Sequence, residues 1–281
     1  ALKMLGAAKT PKLFDADLGL KKVAQKLHME DKFNATNVAV YFGEENVTKE
    51  DPYFEGKGPE RTGCNYCGAC MTGCRNNSKN TLDKNYLYLA QKLGAEILAE
   101  HEVYDVRPIN EEDGANGYEV AIKTSTKFVT KRTKIKSQGV IFSGGVLGTI
   151  KLLLKLKTSS LPKLSNRLGH HIRTNNETLV SISSLDKDKN YSKGVAIGSI
   201  LDTDENSHLE VVRYSEGSNA WKFLHLPYVT GSTIFSRLAM VLVSFIKSPL
   251  NYFKIYLVNS WAKKTVVLLF MQTLAVSYTH L

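Results

Sequence analysis

The sequence predicts a mixed α and β (α/β, α+β) chain built from two interleaved parts, and three observations carry that prediction. Apolar residues recur at helical spacing over 81–93 and 146–156. Short alternating polar and apolar stretches within 118–135 and 179–214 read as antiparallel strands. Between these regions, Val140-Ile-Phe-Ser-Gly-Gly-Val-Leu-Gly-Thr149 runs from an apolar strand through a glycine turn into a helix.

Residues 1–35 are helix-like, with Leu18, Val23, Ala24 and Leu27 near helical spacing, and a strand follows at 37–42. Asp51-Pro52, Gly56 and Gly58-Pro59 mark 43–63 as a long loop. The helix over 81–93 aligns Leu82, Tyr86, Leu89, Ala90 and Leu93, and Gly94 ends it as a C-cap. Strands are expected at 96–99, 102–106, 118–124 and 127–135, the last two as a hairpin-like pair. A brief apolar strand at 139–142, a tight turn at 143–145 and a helix at 146–156 come next. After Pro162 the pattern gives strands at 179–185, 194–200 and 209–214, a helix at 235–247 and a final strand at 266–273. There is no internal repeat and no low-complexity segment.

The 281 residues are 43% hydrophobic and 23% charged, with a mean hydropathy of -0.20. That composition excludes a disordered tail, a collagen-like repeat and a disulfide-dense miniprotein. The 37 Lys and Arg outnumber the 27 Asp and Glu for a net charge of +10, which would suit an anionic partner. The lysines are spread from Lys3 to Lys264, however, which favours a solvated basic surface. A nucleic-acid binder with a zinc knuckle would need aromatics among its basic residues and a His in its ligand set, so no nucleic-acid partner is expected. The apolar run at 238–246 is cut by Arg237 and Lys247, short of the ~20 residues a span needs, so no integral membrane segment is expected. The chain opens on Ala1 with no signal peptide, which leaves the compartment open, the cytoplasm being favoured. Val276-Ser-Tyr-Thr-His-Leu281 resembles a translated sequencing adaptor. The natural frame is therefore expected to break near Leu274; a genuine final strand is the alternative.

All four cysteines lie in Cys64-Asn-Tyr-Cys67-Gly-Ala-Cys70-Met-Thr-Gly-Cys74. This spacing matches the bacterial ferredoxin run that holds an iron–sulfur cube, and four thiolates could also hold zinc. Against a cluster, Arg75 stands where the ferredoxin run has proline, and there is no second run. Gly63, Gly68 and Gly73 also suggest a tight backbone packed against something. In the glycine turn, Gly144 and Gly145 let backbone approach a ligand at the positive end of the following helix, suiting a pyrophosphate or an electron-rich ring. The stretch is not a full G-x-G-x-x-G, and a simple β–α turn is its plainer reading.

Taken together, three stretches resemble the glucose–methanol–choline (GMC) flavin oxidoreductases, in their cholesterol-oxidase-like branch. They are Cys67-Gly-Ala-Cys-Met-Thr-Gly-Cys-Arg-Asn-Asn-Ser-Lys-Asn-Thr-Leu-Asp-Lys-Asn-Tyr-Leu87 with Glu102-Val103, then Ile141-Phe-Ser-Gly-Gly-Val-Leu-Gly-Thr149, then Leu161-Pro-Lys-Leu-Ser-Asn-Arg-Leu-Gly169 through Arg173-Thr-Asn-Asn-Glu177. The resemblance covers residues 1–274. It implies a partial FAD-binding lobe interleaved with an antiparallel-sheet substrate lobe, truncated at both ends. Residues 1–74 form a substrate-lobe segment with the Cys-rich loop, 75–178 an FAD-lobe segment and 179–275 a second substrate-lobe segment, with 276–281 the suspected adaptor tail.

The same resemblance implies that FAD accepts a hydride from the CH–OH group of a small-molecule alcohol or sterol, while leaving the electron acceptor unassigned. Val103 is placed over the adenine, and Ser143, Gly144, Gly145 and Gly148 against the flavin, with Asn175 near it. It disfavours a [4Fe-4S] cluster on Cys64, Cys67, Cys70 and Cys74 without removing that alternative. Glu210 resembles the acidic residue with which steroid-active relatives move a ring proton; a solvent-facing strand Glu paired with Arg213 is the competing reading. His170 and His171 are expected to be structural or near the cofactor. Trp221, Phe223 and Tyr228 could line an apolar substrate cavity. The dinucleotide fingerprint and the family's catalytic His are absent from this chain, so it is expected to be a central fragment that neither holds FAD tightly nor turns over.

Overall fold

In the computed structural model, which describes residues 1–110, 113–172, 176–184, 186 and 188–272, the chain forms two compact units. One joins residues 1–94 to 175–274 and the other spans 95–174. In chain order the elements are β1 (Ala8–Lys9), α1 (Asp15–Lys26), β2 (Phe33–Ala35), β3 (Asn37–Val38), β4 (Thr48–Lys49), β5 (Arg61–Thr62) and α2 (Tyr86–Lys92). Then come β6 (His101–Pro108), β7 (Tyr118–Thr124), β8 (Arg132–Ser137) and α3 (Val146–Lys157). The last group is β9 (Asn176–Ser183), β10 (Ile197–Asp204), β11 (Ser207–Val212), α4 (Ile234–Lys247), α5 (Pro249–Leu257), α6 (Trp261–Lys264) and β12 (Thr265–Gln272).

The first unit is organised by a five-stranded antiparallel sheet of order β2-β10-β11-β12-β9. Because successive side chains alternate between faces, the sheet carries two cores. On one face Leu201 and Val211 pack under Ala16, Leu20 and Ala24 of α1. On the other, Val212, Val267 and Leu269 pack with Trp261 and Ala262. Of the residues that the sequence pattern set at helical spacing, Ala24 is buried, but Leu18, Val23 and Leu27 are 45%, 37% and 56% exposed. The seam is set instead by residues four apart, two of them alanines, whose small side chains let the helix lie close on the sheet.

The second unit is the antiparallel meander β6-β7-β8 with α3 against it, closed by Val106, Leu153, Leu156 and Leu168. A bulge interrupts β6 between Val103 and Asp105.

Several sequence expectations shift. The helix expected over 81–93 breaks into a 3-10 turn, Leu82–Lys84, and α2. Buried Asn85 causes the break: its Oδ1 accepts from the Tyr86 N–H at 2.6 Å and its Nδ2 donates to the Thr81 carbonyl at 3.1 Å, side-chain bonds that compete with helix continuation. Gly94 (φ +95) closes the segment as expected. Residues 96–99 and 139–142 form no described strand, and Ile141 is 90% exposed. The hairpin partner begins at Arg132, not at 127. Sequence reading also missed α5, although Ser248-Pro249 is a start signal, with proline at its first turn.

Candidate functional site

Two places in the chain have the character of a site, one in each unit. In the first unit, β9 and β12 lie antiparallel with Val267 opposite Ser181 and Leu269 opposite Leu179. Across β11 the same rows continue to Val212 and Glu210. Directly opposed residues share a face, so Glu210 projects on the face that carries Val267 and Ser181. Over this face lies a cavity of ≈ 580 Å³, walled by Trp221, Leu224, Tyr228, Leu238, Val241 and Val267. Small-molecule sites span roughly 300–1,000 Å³ with mostly apolar linings. Phe223, expected here with Trp221 and Tyr228, is not among the lining residues and is 70% exposed.

A few polar groups are set into the apolar wall. Ser181 Oγ and His225 Nδ1 are 3.2 Å apart, and Tyr256 Oη donates to the His225 carbonyl at 2.6 Å. Burial pushes the His225 imidazole below its ordinary value, which favours its neutral form. Trp261, 2% exposed, stacks edge-on with His225 at 5.1 Å. Its Nε1 has no hydrogen-bond partner among the described residues. Ser181, His225 and Trp261 were not singled out from sequence: a lone His in Leu-His-Leu-Pro has no motif around it, and only the register of β9 brings Ser181 to it.

Glu210 is largely buried, with His208 Nε2 at 3.5 Å from its Oε1. Burial raises its carboxyl above the usual range, while His208 lowers it and Glu177 raises it further. The expected pairing with Arg213 does not occur. Arg213 Nη2 lies 2.6 Å from Asp17 Oδ1 instead, because Arg213 follows β11 by one residue and so falls on the opposite side of the sheet from Glu210's row, where α1 packs. Glu210 is not among the residues that wall the cavity.

In the second unit, Gly145 (φ +91) is the N-cap of α3 and no side chain caps that helix. A Cβ on Gly145 or Gly148 would meet nothing within 4 Å, and one on Gly144 would meet only Thr149 Oγ1 at 3.8 Å. The turn formed by Ser143, Gly144, Gly145 and Gly148 therefore leaves open space at a positive helix end. Val103 sits 38% exposed on β6, beside its bulge. His170 and His171 are both exposed, their rings 6.5 Å apart. Asn175 and the 276–281 tail lie outside the described residues.

The four cysteines are free thiols that line one cavity of ≈ 10 Å³, room for about one water. Three of them already accept hydrogen bonds: Cys64 from the Tyr66 N–H at 3.4 Å, Cys74 from the Ser78 N–H at 3.3 Å, and Cys67 from Asn76 Nδ2 at 3.7 Å. Among the described residues no group of three or more His, Cys, Asp and Glu is placed to hold a metal ion. The arrangement is a packed loop, which does not favour the cluster alternative raised by the spacing. Two of the three glycines expected to pack tightly do so: a Cβ on Gly63 or Gly68 would collide with the carbonyl of Glu44 or Ser192, whereas one on Gly73 (φ +111) would meet nothing within 4 Å.

The uncapped glycine turn at the start of α3 in one unit and the apolar cavity over an antiparallel sheet in the other both have the geometry of ligand-binding places. Comparison with known proteins agrees. A family model described as GMC oxidoreductase matches residues 15–173. A cholesterol oxidase of Acinetobacter baumannii is 41% identical over 280 residues, which cover 97% of this chain and 50% of that protein. A cholesterol oxidase of Mycobacterium tuberculosis (strain H37Rv) is 36% identical over 292 residues, covering 99% of this chain and 50% of that one. No solved structure matches at comparable significance. The chain belongs to the GMC oxidoreductase family, and it spans about half the length of the curated relatives it matches.

Proposed function

We propose that the protein, at the length of its relatives, is an FAD-dependent oxidoreductase that oxidises the CH–OH group of an alcohol, with a sterol as the substrate class. The observation that carries this reading is the ≈ 580 Å³ apolar cavity with a few polar groups in its wall, which suits a rigid hydrocarbon body bearing a single hydroxyl. The names of the relatives point the same way.

The turn at Ser143, Gly144, Gly145 and Gly148 fits the flavin nucleotide because its open space faces the uncapped start of α3. In this reading the Val103 backbone holds the adenine, and Asn175 joins the set by resemblance alone. Bound FAD supplies the two-electron acceptor. The cavity walls around Trp221 and Val241 exclude water and align the substrate. Glu210, kept towards its neutral form by burial, is the group proposed to move a ring proton.

The test is the visible absorption spectrum of the protein at its relatives' length, prepared without oxygen, with iron and zinc assayed on the same sample. Flavin bands that bleach when a 3-hydroxysteroid is added support the reading. Absence of flavin bands, or bands indifferent to every steroid and alcohol offered, would overturn it. Glu210→Gln should leave flavin reduction intact and slow only the movement of the ring proton.

A further inference from the structure

We propose that the cavity over the sheet of the first unit takes a hydroxysteroid that also carries a carboxylate, and that Arg237 receives that carboxylate. The hydroxysteroid rests on the alcohol-oxidising reading above; the anion site rests on the cavity itself. The polar groups in the wall are biased towards donors. Arg237, Trp221 and Trp261 all line the cavity, and guanidinium and indole groups donate hydrogen bonds but accept none. Trp261 is 2% exposed, and its Nε1 has no partner among the described residues. Among the described residues that form the lining there is no Asp, Glu, Asn or Gln. Burial favours the neutral form of His225, so the positive charge in the wall is that of Arg237. Glu210 shares the face of the sheet but not the lining, and burial keeps it towards its neutral form. A wall with donors to spare and no carboxylate is complemented by an acceptor-rich, negatively charged group.

Arg237 is held in place for this. Its Nε donates to the Gly231 carbonyl at 2.8 Å, and among the described residues its two Nη groups meet no acceptor. Gly231 permits the close approach: a Cβ there would stand 3.0 Å from Arg237 Cγ and 2.7 Å from Ser236 Oγ. With Nε committed to the loop, the plane of the guanidinium is fixed and its Nη edge is left for the two oxygens of a carboxylate. Ile234, the first residue of α4, lines the same cavity, so the positive end of that helix adds to the field there. From Gly217 onwards the sequence has six Lys and Arg and no Asp or Glu, so α4 and α5 carry no acidic side chain to compete for Arg237. Arg237 is exposed, whereas Trp261 and Val267 are 2% and 7% exposed. The carboxylate therefore sits on the solvent side and the apolar body lies against the sheet. A carboxylate held at the rim keeps part of its hydration and escapes the full cost of burying a charge.

Trp221 and Trp261 are the two tryptophans of the chain and both line the cavity, so intrinsic fluorescence reads occupancy without flavin. The 281-residue chain is titrated with 3-hydroxycholenoic acid and with its methyl ester, each below its micelle-forming concentration, at low and high salt. The acid is expected to bind about fivefold or more tighter than the ester at low salt, and the gap to narrow as salt screens the pair. Arg237→Gln should bring the acid's affinity down to that of the ester, and Arg237→Lys, which keeps the charge without the fork, should restore part of the gap. The proposal is overturned if the parent binds acid and ester alike, if the preference persists in Arg237→Gln, or if neither ligand changes the fluorescence. A fall in ester affinity as large as that of the acid would give Arg237 a structural role and overturn it too, as would loss of the preference when the protein at its relatives' length is titrated by calorimetry. Flavin bleaching decides the alcohol reading separately. Bleaching by a neutral 3-hydroxysteroid with acid and ester bound alike would sink this inference alone. Arg237-dependent binding of the acid, with no steroid bleaching the flavin, would sink the alcohol reading and leave the carboxylate site standing.

Discussion

Replacing Asp17 by Ala removes the acceptor around which three segments of the sheet unit are tied. Asp17 and Arg213 are 0% and 1% exposed, and Arg213 Nη2 lies 2.6 Å from Asp17 Oδ1. The same oxygen accepts from Ser199 Oγ at 2.8 Å, and Oδ2 accepts from the Phe14 N–H at 2.9 Å, at the start of α1. After the substitution Arg213 keeps one bond, from Nη1 to the Lys193 carbonyl at 2.7 Å, while its Nε already lacks a partner. Removing one member of a buried ion pair leaves an uncompensated charge and costs about 3–5 kcal/mol. That is a large part of the ~5–15 kcal/mol that holds a domain folded. Urea unfolding followed by tryptophan fluorescence reads it directly, since Trp221 and Trp261 both lie in this unit. Asp17→Ala should lower the midpoint sharply, Asp17→Asn less, and the double change Asp17→Ala with Arg213→Met should recover much of the loss. A cost under about 1 kcal/mol for Asp17→Ala, or strict additivity in the double variant, would refute the view that this pair is a buried, mutually dependent unit.

The cysteines should differ in reactivity. Burial pushes the Cys64 thiol up to about 11, while the N–H groups of Lys79, Ser78 and Asn76 bring Cys74 below its ordinary value. Iodoacetamide at pH 8 should therefore label Cys74 first, Cys64 having about a thousandth of its thiol ionised; mass spectrometry showing Cys64 modified first would contradict this. Glu210 has a folded value above its unfolded 4.5, so its contribution to stability is full below that pH and is lost as pH rises through the raised value. Glu210→Gln should flatten that decline, and unfolding midpoints at pH 4 and pH 8 that shift equally in parent and variant would count against it. Gly68→Ala places a Cβ at φ +72 against the Ser192 carbonyl and should destabilise by more than about 1 kcal/mol; a neutral result in thermal unfolding would show that the loop gives way.

Local signals made much of the fold legible. Gly94 at a helix end and Gly145 at a helix start both take the positive φ their positions suggested, and the alternating stretches became β7, β9, β10, β11 and β12. What escaped was decided by distant residues. Nothing near Ala16 announces that α1 buries its small residues and leaves Leu18 and Leu27 outside; the sheet under it makes that choice. The Asp17–Arg213 pair joins positions 196 residues apart, and no spacing rule reaches so far. At the candidate sites the glycine turn was readable because a turn is local. The meeting of Ser181 with His225 was not, because it depends on the β9–β12 register.

The cysteine run shows how one spacing can serve two physical ends. Closely spaced thiols can converge on a metal, or they can pack as small, weakly polar side chains within a loop. Here the space between them is ≈ 10 Å³; burial raises Cys64 and Cys70, while backbone N–H groups hold Cys74 below its ordinary value. The loop's own groups use the sulfurs as acceptors, and Lys79 Nζ donates to the Cys70 carbonyl at 3.0 Å. Cys67 pairs in a parallel bridge with Gly194, and Gly68 is pressed against Ser192. The run thus joins the segment before α2 to the segment that leads into β10, two parts of one unit that the chain visits before and after building the other. Small, weakly polar side chains suit that junction because they pack closely and accept weak hydrogen bonds at little desolvation cost, so the tight glycine-and-cysteine pattern follows from the interleaved topology itself.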